Sequence, residues 1–250
     1  MKKSKILLFF LFFTTFVLAS QEKNPDTGSR DYRIKAGFSI GGTSPLPLPA
    51  EIRKIEGFNP LLNVMIGAEV RQNIHENWSL LCGLQFEMKG METKAQVKNY
   101  NLAMVSGDDG EISGVFTGKV RTRVQNSYLT LPLLVVWQPG RQAEWGIKFG
   151  LYGSFLLDGA FSGSAYDGYL REGDPTGQRI DITTATYDFS NELQLWNWGA
   201  QLGAEWRIFP RFLTGIDFSW GINSIFKKDF DVITFKMYPI YGSLSFGYIF

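Results

Sequence analysis

Base and nucleophile chemistry in this chain rests on one imidazole, His75, and one thiol, Cys82. One Cys closes no disulfide within the chain, and one His with one Cys builds neither a Cys/His zinc site nor a two-histidine mechanism. His75 stands beside Glu76 in the short run Asn73-Ile74-His75-Glu76-Asn77. A hydrolase needs such a base close to a Ser or carboxylate partner and to its substrate. His75 reads instead as a solvated turn residue, and no enzymatic activity is expected. Oxygen ligands gather in two stretches, Asp108, Asp109 and Glu111, then Asp158, Asp167, Glu172 and Asp174. Neither has the spacing of a Ca²⁺ loop, so both read as solvated acids, and neither metal nor cofactor is expected.

A third set of ionisable residues follows a pattern. Arg33, Lys35, Glu69, Arg71, Glu87, Lys89, Lys148, Glu205, Arg207 and Asp217 each occupy the polar phase of a period-two alternation. The chemistry open to them is mutual ion pairing, or selection of ions along a path.

The elements that must position them are strands. In Tyr32 to Ile40 the even positions are apolar and the odd ones charged, Gly or Ser, and the same alternation runs through 62–70 and 78–88. It returns in 121–137, where Pro132 should interrupt the ladder, and in 145–157, 196–208, 212–222 and 238–250. Eight strands are predicted. Cys82 lies on an apolar face as a small packing residue.

Composition agrees with an all-β chain. Of 250 residues, 15% are aromatic and 27 are Gly, a pairing suited to short strands and turns. The formal charge is +1, from 25 Lys+Arg against 24 Asp+Glu with no long basic run, so no nucleic acid partner is expected. Three lysines within Met1 to Lys5, an apolar run from Ile6 to Leu18 and the small pair Ala19-Ser20 mark a cleavable secretory signal peptide. Its loss removes Lys2, Lys3 and Lys5 and leaves 22 basic against 24 acidic residues. The expected organisation is a leader over 1–20, a short periplasmic segment over 21–31 and a barrel over 32–250.

A soluble barrel turns its apolar face inward, whereas a membrane barrel turns it to lipid. Here the polar faces carry Gly, Ser, Asn, Gln and both signs of charge, which suits a narrow interior. The apolar faces place Tyr32, Trp78, Trp137, Trp145, Trp206 and Tyr248 toward strand ends, as interfacial girdles require. Long links (42–60, 97–118, 161–191, 224–234) alternate with short ones (73–77, 138–144, 209–211), the pattern of external loops and periplasmic turns. The middle long links lack apolar periodicity and are expected to be mobile external loops. These features predict an eight-stranded antiparallel up-and-down β-barrel in the bacterial outer membrane, in contact with its lipid. Near balance of charge in a narrow interior points to a salt-bridged filling, with an ion-selective path as the alternative. Phe246, Tyr248 and Phe250, at period two to the end of the sequence, resemble the signal read by the barrel insertion machinery.

Two stretches carry a family resemblance. Tyr128-Leu129-Thr130-Leu131-Pro132-Leu133-Leu134 resembles the central strand of the PorT-like, porin-family outer membrane β-barrel proteins of Bacteroidota, and Ile34-Lys35-Ala36-Gly37-Phe38-Ser39 is similar to their opening Val-Lys-Ala-Gly segment. The ending Phe246-Gly247-Tyr248-Ile249-Phe250 resembles their closing strand. Thr130 stands where the family often has Glu, so an acidic lumenal group is absent. The resemblance covers Tyr32 to Phe250 and implies the architecture. Through its name-giving member, which assists type IX secretion, it also implies an accessory role beside an envelope protein partner. The reading is a non-enzymatic structural or accessory barrel, either secretion-machinery associated or a surface interaction protein, with a small pore for ions or solutes as the alternative.

Overall fold

The computed structural model describes residues 29–105, 111–140, 143–230, 232–233 and 235–250. The leader over 1–20, most of the 21–31 segment, and Asp108 and Asp109 lie outside the described residues. Ten antiparallel strands follow one another: β1 Arg30–Pro45, β2 Ile52–Pro60, β3 Asn63–Asn73, β4 Trp78–Val105, β5 Glu111–Trp137, β6 Trp145–Glu172, β7 Arg179–Asp188, β8 Trp196–Phe209, β9 Phe212–Gly221 and β10 Met237–Ile249. Eight of them close a ring in the order β1-β3-β4-β5-β6-β8-β9-β10, sealed where Arg33 faces Ile249 and Pro45 faces Met237. The up-and-down barrel is therefore as the alternation predicts. The β4–β5 ladder skips Leu131 and Pro132 between the pairs Cys82↔Leu133 and Gln85↔Thr130, because Pro has no N–H to give.

The long links depart from expectation. β2 and β7 are extra strands within them, and β4, β5 and β6 run 27 or 28 residues each, far beyond the ring. Among the described residues β2 pairs only with β4, while β7 pairs with β6 and touches β4 at Val105↔Thr186. The 97–118 and 161–191 regions are thus largely an extension of the sheet rather than loops. Bulges between Val97 and Tyr100, Thr117 and Lys119, and Ser127 and Tyr128 shift the side-chain parity and hide the period from a reading of the sequence. Asn99 (φ 56°) and Asp167 (φ 49°) take the left-handed conformation beside two of them, which Asn and Asp tolerate best.

The two faces of the long strands exchange character along their length. In the ring part of β5, Leu129 and Leu133 point outward and exposed; farther along, Arg121, Arg123 and Gln125 take the outward phase while Val120 and Val124 are buried within. β4 inverts likewise, from inward Gln85, Glu87 and Lys89 to inward Met91, Ala95 and Val97. The ring is apolar outside and polar inside, whereas the extension is apolar inside and polar outside. That reversal marks the edge of a lipid-facing band. Aromatic pairs ring the end where β1 begins and β10 finishes, with Trp137–Trp145 at 5.9 Å, Phe212–Tyr248 at 5.3 Å and Tyr248–Phe250 at 5.2 Å. Phe155–Trp196 at 5.0 Å, with exposed Trp198 and Trp220, borders the opposite end.

Candidate functional site

The ring brings nine of the ten patterned ionisable residues together in its lumen, in three tiers. At the terminal end, Arg33 Nη1 donates to both oxygens of Glu205, at 3.2 and 3.0 Å, and Arg71 Nη1 donates to Glu205 Oε1 at 3.0 Å. Arg71 Nη2 donates to Ser79 Oγ at 2.9 Å and also to Gln138 Oε1, and Asp31 lies 3.5 Å from Arg33. The space left between these groups is ≈ 10 Å³, no more than one water's worth. Arg207 differs: its side chain is exposed at this mouth, outside the ion pairs found among the described residues. Its strand position has the inward phase, but at the end of β8 the inward direction already meets solvent.

In the middle tier, Lys35 Nζ lies 2.5 Å from Glu69 Oε1, which also accepts from Gln85 Nε2 at 3.0 Å. Beside it, Lys148 Nζ reaches Asp217 Oδ2 at 2.9 Å, and Gln201 Nε2 donates to Asp217 Oδ1 at 3.0 Å. Gly203 makes room for this pair, since a Cβ there would lie 2.3 Å from Asp217 Oδ1. Leu81, Leu134 and Val136 form a small buried apolar patch on the β4–β5 side of the interior.

The third tier holds Lys89 and Glu87, 3.0 Å apart, with Thr130 Oγ1 donating to Glu87 Oε2 at 2.6 Å and meeting Ser154 Oγ at 2.8 Å. The Lys89 ammonium also stands 5.7, 5.2 and 5.7 Å from the ring centres of Tyr128, Tyr152 and Tyr241. Sequence reasoning overlooked this cage. Each tyrosine sits in the polar phase of its strand, but only the register of three separate strands reveals that they share a level. Directly beyond them, Met91, Val124, Phe161, Phe189, Phe226 and Met237 belong to one apolar core that continues into the extension. The lumen therefore passes from paired charges to an aromatic cage to packed hydrocarbon.

The extension encloses that core and exposes a polar outer face. Tyr187 OH, within it, lies 2.6 Å from Thr122 Oγ1 and donates to Arg121 O at 3.2 Å; burial pushes its ionisation well above the ordinary tyrosine range. Two of the expected loop acids have local structural partners. Asp167 accepts from Lys119 at 3.1 Å, a bond that raises the lysine's pKa, and Asp174 accepts from Thr176 N at 2.7 Å and Oγ1 at 2.6 Å, which lowers its own. Asp158 is exposed on β6. Among the described residues no three His, Cys, Asp or Glu side chains converge as metal ligands. His75 is exposed in the tight β3–β4 turn, its N–H donating to Trp78 O at 3.0 Å, at the end opposite the extension. Cys82 is half-buried on the outward phase of β4.

On the outer face of the extension lies a trough of ≈ 530 Å³. Ser162, Gly163 and Ser164 of β6 form its floor, Arg121 and Arg123 of β5 with Glu92 of β4 one wall, and Thr186 and Asp188 of β7 the other. Small side chains on the middle strand, flanked by longer ones on its neighbours, create the depression. At the chain's end Phe246 and Phe250 face outward and exposed, Tyr248 OH accepts from Arg211 Nη1 at 3.0 Å, and Phe250 N donates to Tyr32 O at 3.0 Å.

Comparison with known proteins gives one family match: the outer membrane protein beta-barrel domain, over residues 19–227. Curated protein sequences give no significant match. Similar solved structures include Ail, the attachment invasion locus protein of Yersinia pestis, in complex with the heparin analogue sucrose octasulfate (12% identity, TM-score 0.37, 89% of this chain and 99% of that one). Another is OprG from Pseudomonas aeruginosa (14% identity, TM-score 0.30, 89% and 97%), and a third is Neisserial surface protein A (11% identity, TM-score 0.30, 88% and 97%).

Proposed function

Given that the chain belongs to the outer membrane protein beta-barrel domain family, we propose that it is a non-conducting, non-enzymatic barrel that holds a folded β-platform at the outer surface of the outer membrane. The observation that carries this reading is the continuity of the apolar core, from above the Lys89 cage through the extension. A pore requires a continuous wet path, and here paired charges fill one half of the interior and hydrocarbon the other. The same core makes the extension stiff. Its strands stand on ring strands without a hinge, so the platform's outer face is held in a fixed orientation to the membrane.

In this reading the termini and the His75 turn are periplasmic and the β2 and β7 strands external, as the alternation of short and long links requires. The leader over 1–20 directs export, and Phe246, Tyr248 and Phe250 present the strand end that the insertion machinery recognises. The lumenal ion pairs are structural, and Arg33–Glu205, Arg71–Glu205 and Lys148–Asp217 close the barrel by bridging strands that are not neighbours. The resemblance to PorT-like proteins suggests an envelope partner; a rigid external platform favours a partner met at the surface over one in the periplasm.

Labelling of intact cells tests the placement. In a Cys82→Ala background, Thr183→Cys on β7 should react with a membrane-impermeant maleimide, and His75→Cys only after the outer membrane is opened. The reverse order would place the platform in the periplasm and overturn the reading.

A further inference from the structure

The trough is a concave feature of the extension's outer face, and its lining combines three kinds of group. Two guanidiniums stand side by side on β5, three hydroxyls line the floor and far wall, and two carboxylates, Glu92 and Asp188, flank it on either side. The row below the Arg121 position is electrostatically unrelieved: Lys94 on β4 faces Arg121 directly across the β4–β5 ladder, with Ser164 and Thr186 completing the row on β6 and β7. Like charges directly opposite each other destabilise a sheet. Arg121 has one distant carboxylate, Glu92 at 3.7 Å, and among the described residues neither Lys94 nor Arg123 has a carboxylate in ion-pair contact. Arg123 makes only a 3.4 Å bond to Gln125. Glu92 faces Arg123 across the same ladder and lines the trough with Asp188, so Lys94, Arg121 and Arg123 stand against two carboxylates and leave one positive charge in excess, which an anionic ligand completes.

The rest of the lining identifies the ligand's other features. Ser162, Ser164 and Thr186 both donate and accept, and the Asp188 carboxylate accepts; together they suit vicinal hydroxyls. Asp188 Oδ1 is already fixed by Ser190 N at 2.8 Å and Oγ at 2.5 Å, which holds the carboxylate in place at the trough wall. Apart from Tyr187 and Gly163, every lining residue carries a charged or hydroxyl-bearing side chain. Height above the membrane narrows the source. Arg123 lies four positions along β5 from Ser127, the level of the exposed Leu157 on β6, and at ~3.3 Å per residue with a strand tilt of about 35–45° it stands roughly 10 Å beyond the apolar band. That is above the headgroup zone and within the sugar layer of a glycolipid leaflet.

We propose that this trough is a saccharide site: it binds the phosphorylated core sugars of the glycolipid that surrounds the barrel, with a phosphate held between Arg121 and Arg123 and sugar hydroxyls meeting Ser162, Ser164 and Asp188. The site anchors the platform laterally to the leaflet in which the barrel sits. The assignment rests on the outward placement of the extension, which thiol labelling tests separately. Binding measured in micelles does not depend on topology, so its failure would sink the trough alone.

The experiment is equilibrium binding to the full chain, folded and detergent-solubilised, with folding verified by heat-modifiable gel mobility. Deacylated lipopolysaccharide should bind saturably, and the same material stripped of phosphate at least tenfold more weakly. Arg121→Gln with Arg123→Gln should weaken binding at least tenfold, whereas Arg53→Gln with Arg179→Gln, which removes two cations elsewhere on the extension, should leave it unchanged. Ser164→Trp, which fills the trough without altering charge, should also abolish binding and serves if the double arginine variant does not fold. No saturable binding, equal weakening by both arginine pairs, or insensitivity to Ser164→Trp would each overturn the proposal. Tighter binding of chondroitin sulfate than of deacylated lipopolysaccharide would also overturn it, by assigning the trough to a glycan from outside the membrane.

Discussion

Arg33 on β1 and Glu205 on β8 stand three places apart around the ring, yet two hydrogen bonds of 3.2 and 3.0 Å join them across the interior. Arg71, on β3, reaches the same carboxylate from the far side of β1. One glutamate therefore ties three strands that share no ladder with one another except β1 with β3. A bridge of that length is available only because eight strands leave an interior barely wider than two side chains. The ion pairs thereby hold the section of the barrel to one shape as well as neutralising buried charge.

Removing the carboxylate should be costly in a specific way. Glu205→Ala strands two buried guanidiniums, and breaking a buried pair typically costs about 3–5 kcal/mol. The urea midpoint of the folded barrel in detergent should fall accordingly. The triple variant Arg33→Met, Arg71→Met, Glu205→Leu, which replaces the cluster with hydrocarbon, should recover most of the loss. Equal destabilisation by the single and triple variants would mean that the charges matter for something other than pairing.

Depth in the membrane should separate two outward positions on the long strands and their neighbours. Leu133→Arg, in the exposed apolar band of β5, should cost about 2–4 kcal/mol if it lies near the midplane, because the guanidinium must leave water. Thr183→Arg, exposed on β7 of the extension, should stay within about 0.5 kcal/mol of the parent. Refolding titrations into lipid vesicles would read both; similar costs would remove the distinction between band and extension.

The extension's core should fail without taking the ring with it. Phe116 is fully buried in it, and Phe→Ala in such a setting costs about 3–5 kcal/mol. Phe116→Ala should make the extension sensitive to limited proteolysis while the heat-modifiable mobility of the ring persists. Loss of both together would show one cooperative unit.

Alkali should loosen the same region. Burial raises the folded-state pKa of Tyr187, so the folded extension holds a proton that the unfolded one releases near pH 10. The stabilisation is complete below about pH 10 and is lost as pH rises through the higher folded value. Susceptibility to protease should therefore rise above that pH, and Tyr187→Phe should shift the onset upward. An unchanged onset in Tyr187→Phe would place the alkaline weakness elsewhere.

The parts of this structure that could be read from sequence are those whose alternation is unbroken. From Tyr32 to Ile40 and from Trp196 to Ile208 every second residue is apolar and exposed or polar and turned inward, with few departures, and the ring follows directly. The extension was hidden for two physical reasons. Bulges near Asn99, Lys119 and Leu157 shift the parity within a single strand. Past Lys89 on β4 and before Asn126 on β5, the apolar phase also moves from outside to inside, so the period continues while its meaning reverses. The patterned charges were legible one strand at a time, but Arg207 shows the limit: phase gives direction, whereas burial depends on where along the strand the barrel ends. The tyrosines around Lys89 required the register of β5, β6 and β10, which no local pattern contains.

Single-channel recording tests the central claim of a closed barrel most directly. The full chain, inserted into planar bilayers from detergent and confirmed as folded by its gel mobility, should give no stable conductance steps at any voltage the bilayer tolerates. Reproducible steps that change in Lys89→Gln or Glu205→Gln would show ions passing through the lumen, and would contradict an interior filled by paired charge, aromatic cage and apolar core.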